Sequence, residues 1–147
     1  MPMFENPFSI LDISASGLAA ERVKMSVIAN NIANSQVTET SDGGPYKRQQ
    51  VEFASVLKRS LAGKTVKDAK LSGVEVKEVT SSTEQPNMVY IPGHPKADED
   101  GFVKMPNVSI AKEMVDLILA SRSYEANTAV VSTFRKMNER ALSILRR

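Results

Sequence analysis

The chain has 147 residues, 41% of them hydrophobic and 24% charged, with a formal net charge of +2. That length fits one domain of ordinary size, and so small a charge gives no ground for a nucleic acid or an anionic membrane as partner. There is no cysteine, which excludes disulfides, zinc thiolates and thiol nucleophiles, and with no Trp and 5% aromatics any core has to be aliphatic.

At the start of the chain, Glu5 and Asp12 interrupt any signal-peptide pattern, and no basic segment precedes an apolar run. Nowhere do apolar residues approach the ~20 uninterrupted positions that a membrane span needs. A protein of this kind that leaves the cytoplasm is expected to keep its N-terminus. Ser9 is a good N-cap with Asp12 three residues on, a capping-box pattern, and Phe8 and Ile13 take the positions of a hydrophobic staple. Leu11, Leu18, Met25 and Ile32 then recur every seven residues, joined by Ala15, Ile28 and Ala29. The spacing predicts a helix of about two dozen residues, ~36 Å long. Gly17 inside it costs ~1 kcal/mol of helix propensity, which packing has to offset. Asn30, Asn31 and Asn34 cluster at its end, where Asn tolerates capping geometry.

The stretch 36–106 reads as a small β-rich unit with substantial loops. Gly43-Gly44-Pro45 is a strong breaker, and Pro86, Pro92, Pro95 and Pro106 forbid a long helix. Val51 and Phe53 suggest a short strand leading into a helical turn from Ala54 to Leu61. Val74, Val76 and Val79 suggest a second strand, with a turn near Gln85-Pro86-Asn87 and Met88 to Ile91 as its antiparallel partner.

After Pro106, Asn107 or Ser109 can cap a second helix of nearly 40 residues, ~58 Å if unbroken. Its seam is Ile110, Leu117, Tyr124, Val131, Asn138 and Leu145, flanked by Ala120, Phe134 and Ala141. A strict seven-residue repeat implies a left-handed supercoil against another helix, with Asn138 able to pin register at some cost in stability. Five basic residues against the single acid Glu139 lie between Arg135 and Arg147, a charge bias that suits a helix C-terminus.

The expected fold is therefore mainly α with a small β-rich insert. Residues 1–35 and 107–147 form N- and C-terminal helices packed as an antiparallel coiled coil, and residues 36–106 form a middle domain of short strands and loops. That middle is too small to cover both apolar stripes, and the C-terminal stripe is longer by roughly 20 Å. Isolated helices are marginal in water, so the termini are expected to order fully when neighbouring copies supply the missing surface. Such a plan suits an assembly better than a self-contained enzyme.

A search for chemistry is negative. Gly63-Lys64-Thr65 imitates the end of a phosphate-binding loop, but the glycine required five residues earlier is Lys58. His94, the only histidine, sits in Pro92-Gly93-His94-Pro95, which reads as a rigid turn. Asp98-Glu99-Asp100-Gly101 lacks the alternating ligands and distal Glu of a calcium loop. No Gly-x-Ser-x-Gly elbow is present, and Asn107-Val108-Ser109 reads as a helix start rather than a glycosylation site. No catalytic residue, metal ligand, cofactor or small-molecule substrate is expected.

Two groups of motifs point further. Ser16-Gly17-Leu18-Ala19-Ala20-Glu21-Arg22, continuing to Ala29-Asn30-Asn31-Ile32-Ala33-Asn34, resembles the N-terminal signature of the flagellar rod and hook axial proteins. Tyr90-Ile91-Pro92-Gly93-His94-Pro95, Gly101-Phe102-Val103-Lys104-Met105-Pro106-Asn107-Val108, Glu113-Met114-Val115 and Ala120-Ser121-Arg122-Ser123-Tyr124-Glu125-Ala126-Asn127 resemble the proximal rod members of that family. The chain departs from the pattern at Ile91, where those proteins carry Asp and a local turn hydrogen bond would be lost.

The resemblance implies a structural subunit of the flagellar basal body, exported through the type III apparatus without a cleaved signal. It would polymerise in the periplasm with its own copies and with other rod proteins. Its terminal helices would surround the export channel, its middle domain would lie further out, and the rod would transmit torque. On this reading Asn30, Asn31, Asn34, Tyr124, Glu125 and Asn127 match signature positions and make polar contacts within or between helix pairs. The apolar positions expected at subunit interfaces are Leu11, Leu18, Met25, Ile28, Ile32, Leu117, Val131, Phe134 and Leu145, with Asn138 among them. The rival readings are another axial protein, a small enzyme using His94, and a cytoplasmic coiled-coil adaptor.

Overall fold

The computed structural model describes residues 8–41, 43–59 and 69–145. In chain order these form α1 (Phe8–Ala33), β1 (Gln49–Arg59), β2 (Ala69–Ser81), β3 (Asn87–Tyr90), β4 (Phe102–Met105) and α2 (Ile110–Leu145). Two helices at the ends enclose a strand-built insert, as composition and proline placement require. At 26 and 36 residues, the helices are about 39 and 54 Å long at the usual rise. Helix α1 already runs from Phe8, so Ser9 lies in its first turn rather than preceding it. The Phe8 half of the expected staple and the Gly63-Lys64-Thr65 motif lie outside the described side chains. At α2, Ser109 takes the cap: its carbonyl accepts from Glu113 N–H at 2.9 Å, and its hydroxyl faces Lys112 N–H at 3.5 Å, a weak bond.

The strands pair differently from expectation. β1 pairs with β2, and β3 with β4. The expected helical turn from Ala54 is a continuation of β1 to Arg59; Ser60 and Leu61 lie outside the described residues. Val51, Phe53 and Val56 are β-branched or aromatic, and a partner strand outweighs the weak helical preference of Ala54 and Leu57. Met88 to Ile91 does not pair with β2. Asn87 to Tyr90 forms an antiparallel hairpin with β4, in the register Asn87↔Met105, Met88↔Lys104, Val89↔Val103 and Tyr90↔Phe102. The connecting loop makes this pairing possible. Gly101 adopts φ +80, its N–H donates to Asp98 O at 3.0 Å, and the Asp98 carboxylate accepts from Phe102 N–H at 2.7 Å. At Ile91 the backbone bonds of the turn are in place: its N–H donates to Gly101 O at 2.8 Å and its carbonyl accepts from His94 N–H at 3.1 Å.

The chain divides into two compact units. The first comprises Met1–Val23, Phe53–Lys77 and Ala120–Arg147; the second comprises Lys24–Glu52 and Glu78–Leu119. In the first, Ser14, Ala20 and Ala120 are buried. A Cβ placed on Gly17 would meet Asn127 Nδ2 at 3.0 Å, so the absent side chain lets α2 approach α1, which offsets the propensity cost. Strand β2 is fastened to α1 in the same unit. Val74 N–H donates to Ser16 Oγ at 3.1 Å, and that hydroxyl donates to Ile13 O at 2.7 Å. Gly73, at φ +125, would drive any Cβ into Ser16 Oγ, so only glycine fits this crossing. In the second unit Val27, Ile28, Asn31, Gly101, Val103, Pro106 and Glu113 are buried.

Burial follows the expected seams. On α1 the positions Leu11, Ser14, Leu18, Glu21, Met25, Ile28 and Ile32 are buried or half-buried, spaced alternately by three and four residues. On α2 the same alternation runs through Glu113, Leu117, Ala120, Tyr124, Asn127, Val131 and Phe134. Both stripes fall short of the predicted seams, since Ala15 and Ala29 on α1 and Ile110, Asn138 and Ala141 on α2 are exposed.

Candidate functional site

The second unit holds a buried polar junction of unusual completeness. Glu113 is 0% exposed and Asn31 1% exposed, the two largest fully enclosed polar side chains among the described residues. Helix α1 delivers Asn31 in its last turn, α2 delivers Glu113 in its first turn, and the segment leading into β1 delivers Tyr46, Arg48 and Gln49. Asn31 uses its whole amide. Its Nδ2 donates to Gln49 O at 2.9 Å and to Glu113 Oε2 at 3.1 Å. Its Oδ1 accepts from Tyr46 Oη at 2.8 Å and from Gln49 N–H at 2.9 Å. The other carboxylate oxygen of Glu113 accepts from Arg48 Nε at 2.6 Å. The same guanidinium reaches Asp116 Oδ2 at 3.8 Å, and Arg48 O accepts from Ser82 N–H at 2.7 Å.

A buried charge is tolerable when it is paired and each oxygen has a donor, and Glu113 meets both conditions. The environment acts on Tyr46 as well. Burial pushes its hydroxyl pKa above the usual 10.0, and the negative charge of Glu113 pushes it in the same direction. Every side chain of the junction has at least one partner within the chain. It locks three segments distant in sequence into one geometry.

The other candidates for chemistry fold into structural roles. His94 Nδ1 accepts from Lys96 N–H at 3.1 Å, so the histidine braces its own turn. Beside the β3–β4 hairpin lies an open groove of about 300 Å³, lined by residues that include Glu39, Lys96, Asp98 and Phe102. An exposed Lys96–Glu39 pair at 2.7 Å spans it. Among the described residues no group of three or more His, Asp or Glu could hold a metal ion, and no helix is long and apolar enough to cross a membrane.

The residues singled out in the sequence fall into three environments. Ile28 and Asn31 are buried within the second unit. Leu11, Leu18, Met25, Ile32, Asn34, Leu117, Tyr124, Asn127, Val131 and Phe134 are half-buried along the two stripes, while Asn30, Glu125 and Asn138 are exposed. The side chain of Leu145 lies outside the described ones. Asn30 and Asn34 bond to each other, Asn34 Nδ2 donating to Asn30 O at 2.8 Å and to its Oδ1 at 2.9 Å. Asn30 Nδ2 adds a longer contact to Gln49 Oε1 at 3.3 Å. Glu125 pairs with Arg122 at 3.0 Å on the surface.

Sequence reasoning did not single out Arg48, Tyr46 or Glu113 for this junction. Glu113 had a readable signal, since it lies seven residues before Ala120 on the α2 stripe, where a charge needs a partner. Arg48 had none, because nothing local ties residue 48 to residue 113.

Large apolar side chains are exposed along α2. Helix α2 leaves Met114, Val115, Ile118 and Leu119 exposed in the second unit and Met137, Leu142 and Ile144 exposed in the first.

Comparison with known proteins agrees with this picture at both ends and along the whole length. Residues 11–39 match the family described as flagella basal body rod protein. Residues 99–144 match the one described as flagellar basal body rod FlgEFG protein C-terminal. The flagellar basal-body rod protein FlgC of Borreliella burgdorferi is 38% identical over 147 residues, covering 94% of this chain and 97% of that protein. The FlgC of Salmonella typhimurium is 39% identical, with 92% and 96% covered, and that of Bacillus subtilis is 36% identical, with 93% and 97% covered. Identity at this level across nearly the full length of relatives from separate bacteria places the chain in the FlgC family of flagellar basal-body rod proteins.

Proposed function

We propose that the chain is a structural subunit of the flagellar basal-body rod, in its proximal part, and that its role is mechanical rather than enzymatic. The observation that carries this reading is identity to FlgC proteins over more than nine-tenths of both chains. The physical support is the exposed apolar surface of α2, which suits a polymer.

The finer architecture belongs to the same proposal. The terminal segments 1–35 and 107–147 pair as an antiparallel coiled coil, and residues 36–106 form the middle domain between them. Two contacts support that pairing, each inside one unit: Gly17 against Asn127 and Asn31 against Glu113. Gly17 and Asn31 are fourteen residues apart, as are Asn127 and Glu113, running in opposite senses along their helices. Fourteen residues are two heptads, the interval at which a supercoiled pair returns to the same register. In that register position 8 comes level with position 136, and α2 continues past the start of α1 by about 13 Å at the usual rise.

The partners are further copies of the chain, other rod proteins and the type III export apparatus. The location is the rod across the periplasm, reached without a cleaved signal. Subunit contacts fall on the exposed or half-buried members of the set, Leu11, Leu18, Met25, Asn30, Ile32, Asn34, Leu117, Tyr124, Glu125, Asn127, Val131, Phe134 and Asn138, together with Leu145. Ile28 and Asn31 act from within by fixing the unit that carries them. Purification of detergent-extracted basal bodies tests the core of the proposal: the chain should be a stoichiometric rod component, and its absence from intact rods would refute it. Export is tested separately by deleting residues 1–15, which should hold the protein in the cytoplasm.

A further inference from the structure

We infer that the β3–β4 hairpin of one copy docks onto the C-terminal end of α2 of a second copy, in a head-to-tail contact that joins unlike surfaces. The inference rests on the rod-subunit reading and assigns it a specific interface.

The first surface is one face of the hairpin. Directly opposed residues of an antiparallel pair share a face, so Met88, Tyr90, Phe102 and Lys104 lie together, while Val103 turns inward and is buried. Tyr90 is 63% exposed, yet its ring is held against Phe102 edge-on, with centroids 5.3 Å apart. The loop closing the hairpin is fixed by the bonds of Asp98, Gly101 and Ile91, so this aromatic face is preorganised and loses little entropy on binding. The charges in that loop, Asp98, Glu99 and Asp100 against Lys96, leave a net −2 beside the apolar face.

The second surface is the end of α2. Every residue from Arg135 to Ile144 is exposed, including Met137 at 63% and Ile144 at 74%. Met137, Arg140 and Ile144 follow at intervals of three and four residues and therefore share one face. Arg135, Lys136 and Arg140 against Glu139 leave a net +2 on this stretch. A helix end exposed on all sides gains nothing from packing within its own chain, and such ends are marginal in water.

The two surfaces match in kind. Each has an apolar centre, their net charges are opposite in sign (−1 for the hairpin once Lys104 is counted, +2 for the helix end), and one is a rigid two-stranded platform while the other is a bare helix. Charge complementarity of this type fixes orientation and speeds encounter. Because the surfaces differ, each copy offers one of each, and the contact repeats into an open helical array instead of closing as a dimer. Each contact therefore covers the hairpin of one copy and the helix end of the next, so a run of copies covers both surfaces of each.

The absence of cysteine makes the test direct. Met88→Cys and Met137→Cys are prepared as separate proteins, mixed, and treated with a short bismaleimide; sedimentation velocity follows association of the same samples. The mixed 88–137 cross-link should dominate over both symmetric products. E99K with D100K should weaken association roughly tenfold, about 1.4 kcal/mol, and adding K136E with R140E should restore it. Symmetric cross-links only, or undiminished association of the E99K/D100K protein, would overturn this interface while leaving the rod reading in place. That reading falls on a different result, absence of the wild-type chain from basal bodies.

Discussion

Glu113 and Tyr46 show what single residues do in this protein. The two carboxylate oxygens of Glu113 have separate donors, Arg48 Nε and Asn31 Nδ2. Replacing Glu113 by Ala removes both at once, leaving an amide hydrogen without its acceptor and a largely covered guanidinium with only the longer Asp116 contact at 3.8 Å. Breaking one side of a buried pair costs about 3 kcal/mol, so Glu113→Ala should destabilise the unit carrying it by that amount, read from the shift of its urea midpoint. Glu113→Gln, which keeps the volume and one donor–acceptor contact, should lose less. An equal loss for both variants would mean that volume rather than charge is the determinant.

Tyr46 makes a pH-dependent contribution whose sign follows from its environment. Burial and the charge of Glu113 raise its folded-state pKa above 10.0, so the folded protein prefers the neutral phenol. The stability from this group is fully present below pH 10, and is lost as pH climbs from there through the folded-state value. Urea titrations should show an alkaline decline that Tyr46→Phe reduces. At neutral pH the same variant loses only the bond to Asn31, about 1 kcal/mol. A decline unchanged in Tyr46→Phe would assign it to other groups.

Elements differ in how far they can be read from sequence. The two helices were legible because Leu11, Leu18, Met25 and Ile32 on one, and Leu117, Tyr124 and Val131 on the other, carry a periodicity that needs no knowledge of the partner. The strands were legible as apolar runs but not as pairs. Val51 and Phe53 announce β1, yet its length depends on β2, and the pairing of Met88–Tyr90 with Phe102–Met105 depends on the Asp98–Gly101 turn that brings them together. The buried junction was the least legible, since Tyr46 and Arg48 meet Glu113 only across more than sixty residues of chain. The helical seams therefore give the firmest prediction at this scale. Val131 is half-buried on α2 beside Asn127 and Phe134, and Val131→Asp places a charge there without a partner. A loss of about 2–3 kcal/mol follows from burying a polar group uncompensated. Limited proteolysis should then cut α2 in the first unit while the hairpin of the second unit stays intact. Simultaneous loss of both would show that the two units unfold as one.

At the scale of the molecule, the separation between what folds the chain and what joins chains should be measurable. Leu142 is 61% exposed and Ile144 74% exposed, so a single copy gains little from either side chain being apolar. Surface substitutions of this kind usually shift stability by no more than about 0.5 kcal/mol. The double variant Leu142→Ser, Ile144→Ser should therefore melt with the parent protein in dilute solution. On the proposed rod reading the same two positions serve assembly, since a bare apolar helix end gains from being covered by another subunit. The variant should be made and remain soluble, yet be depleted from basal bodies, with swimming in soft agar reduced accordingly. Val131→Asp provides the contrast, because it should lower monomer stability and motility together. If the double serine variant instead destabilises the isolated chain as much as Val131→Asp does, the end of α2 is part of the fold, and the exposed surface at that end has to be assigned to folding rather than to assembly.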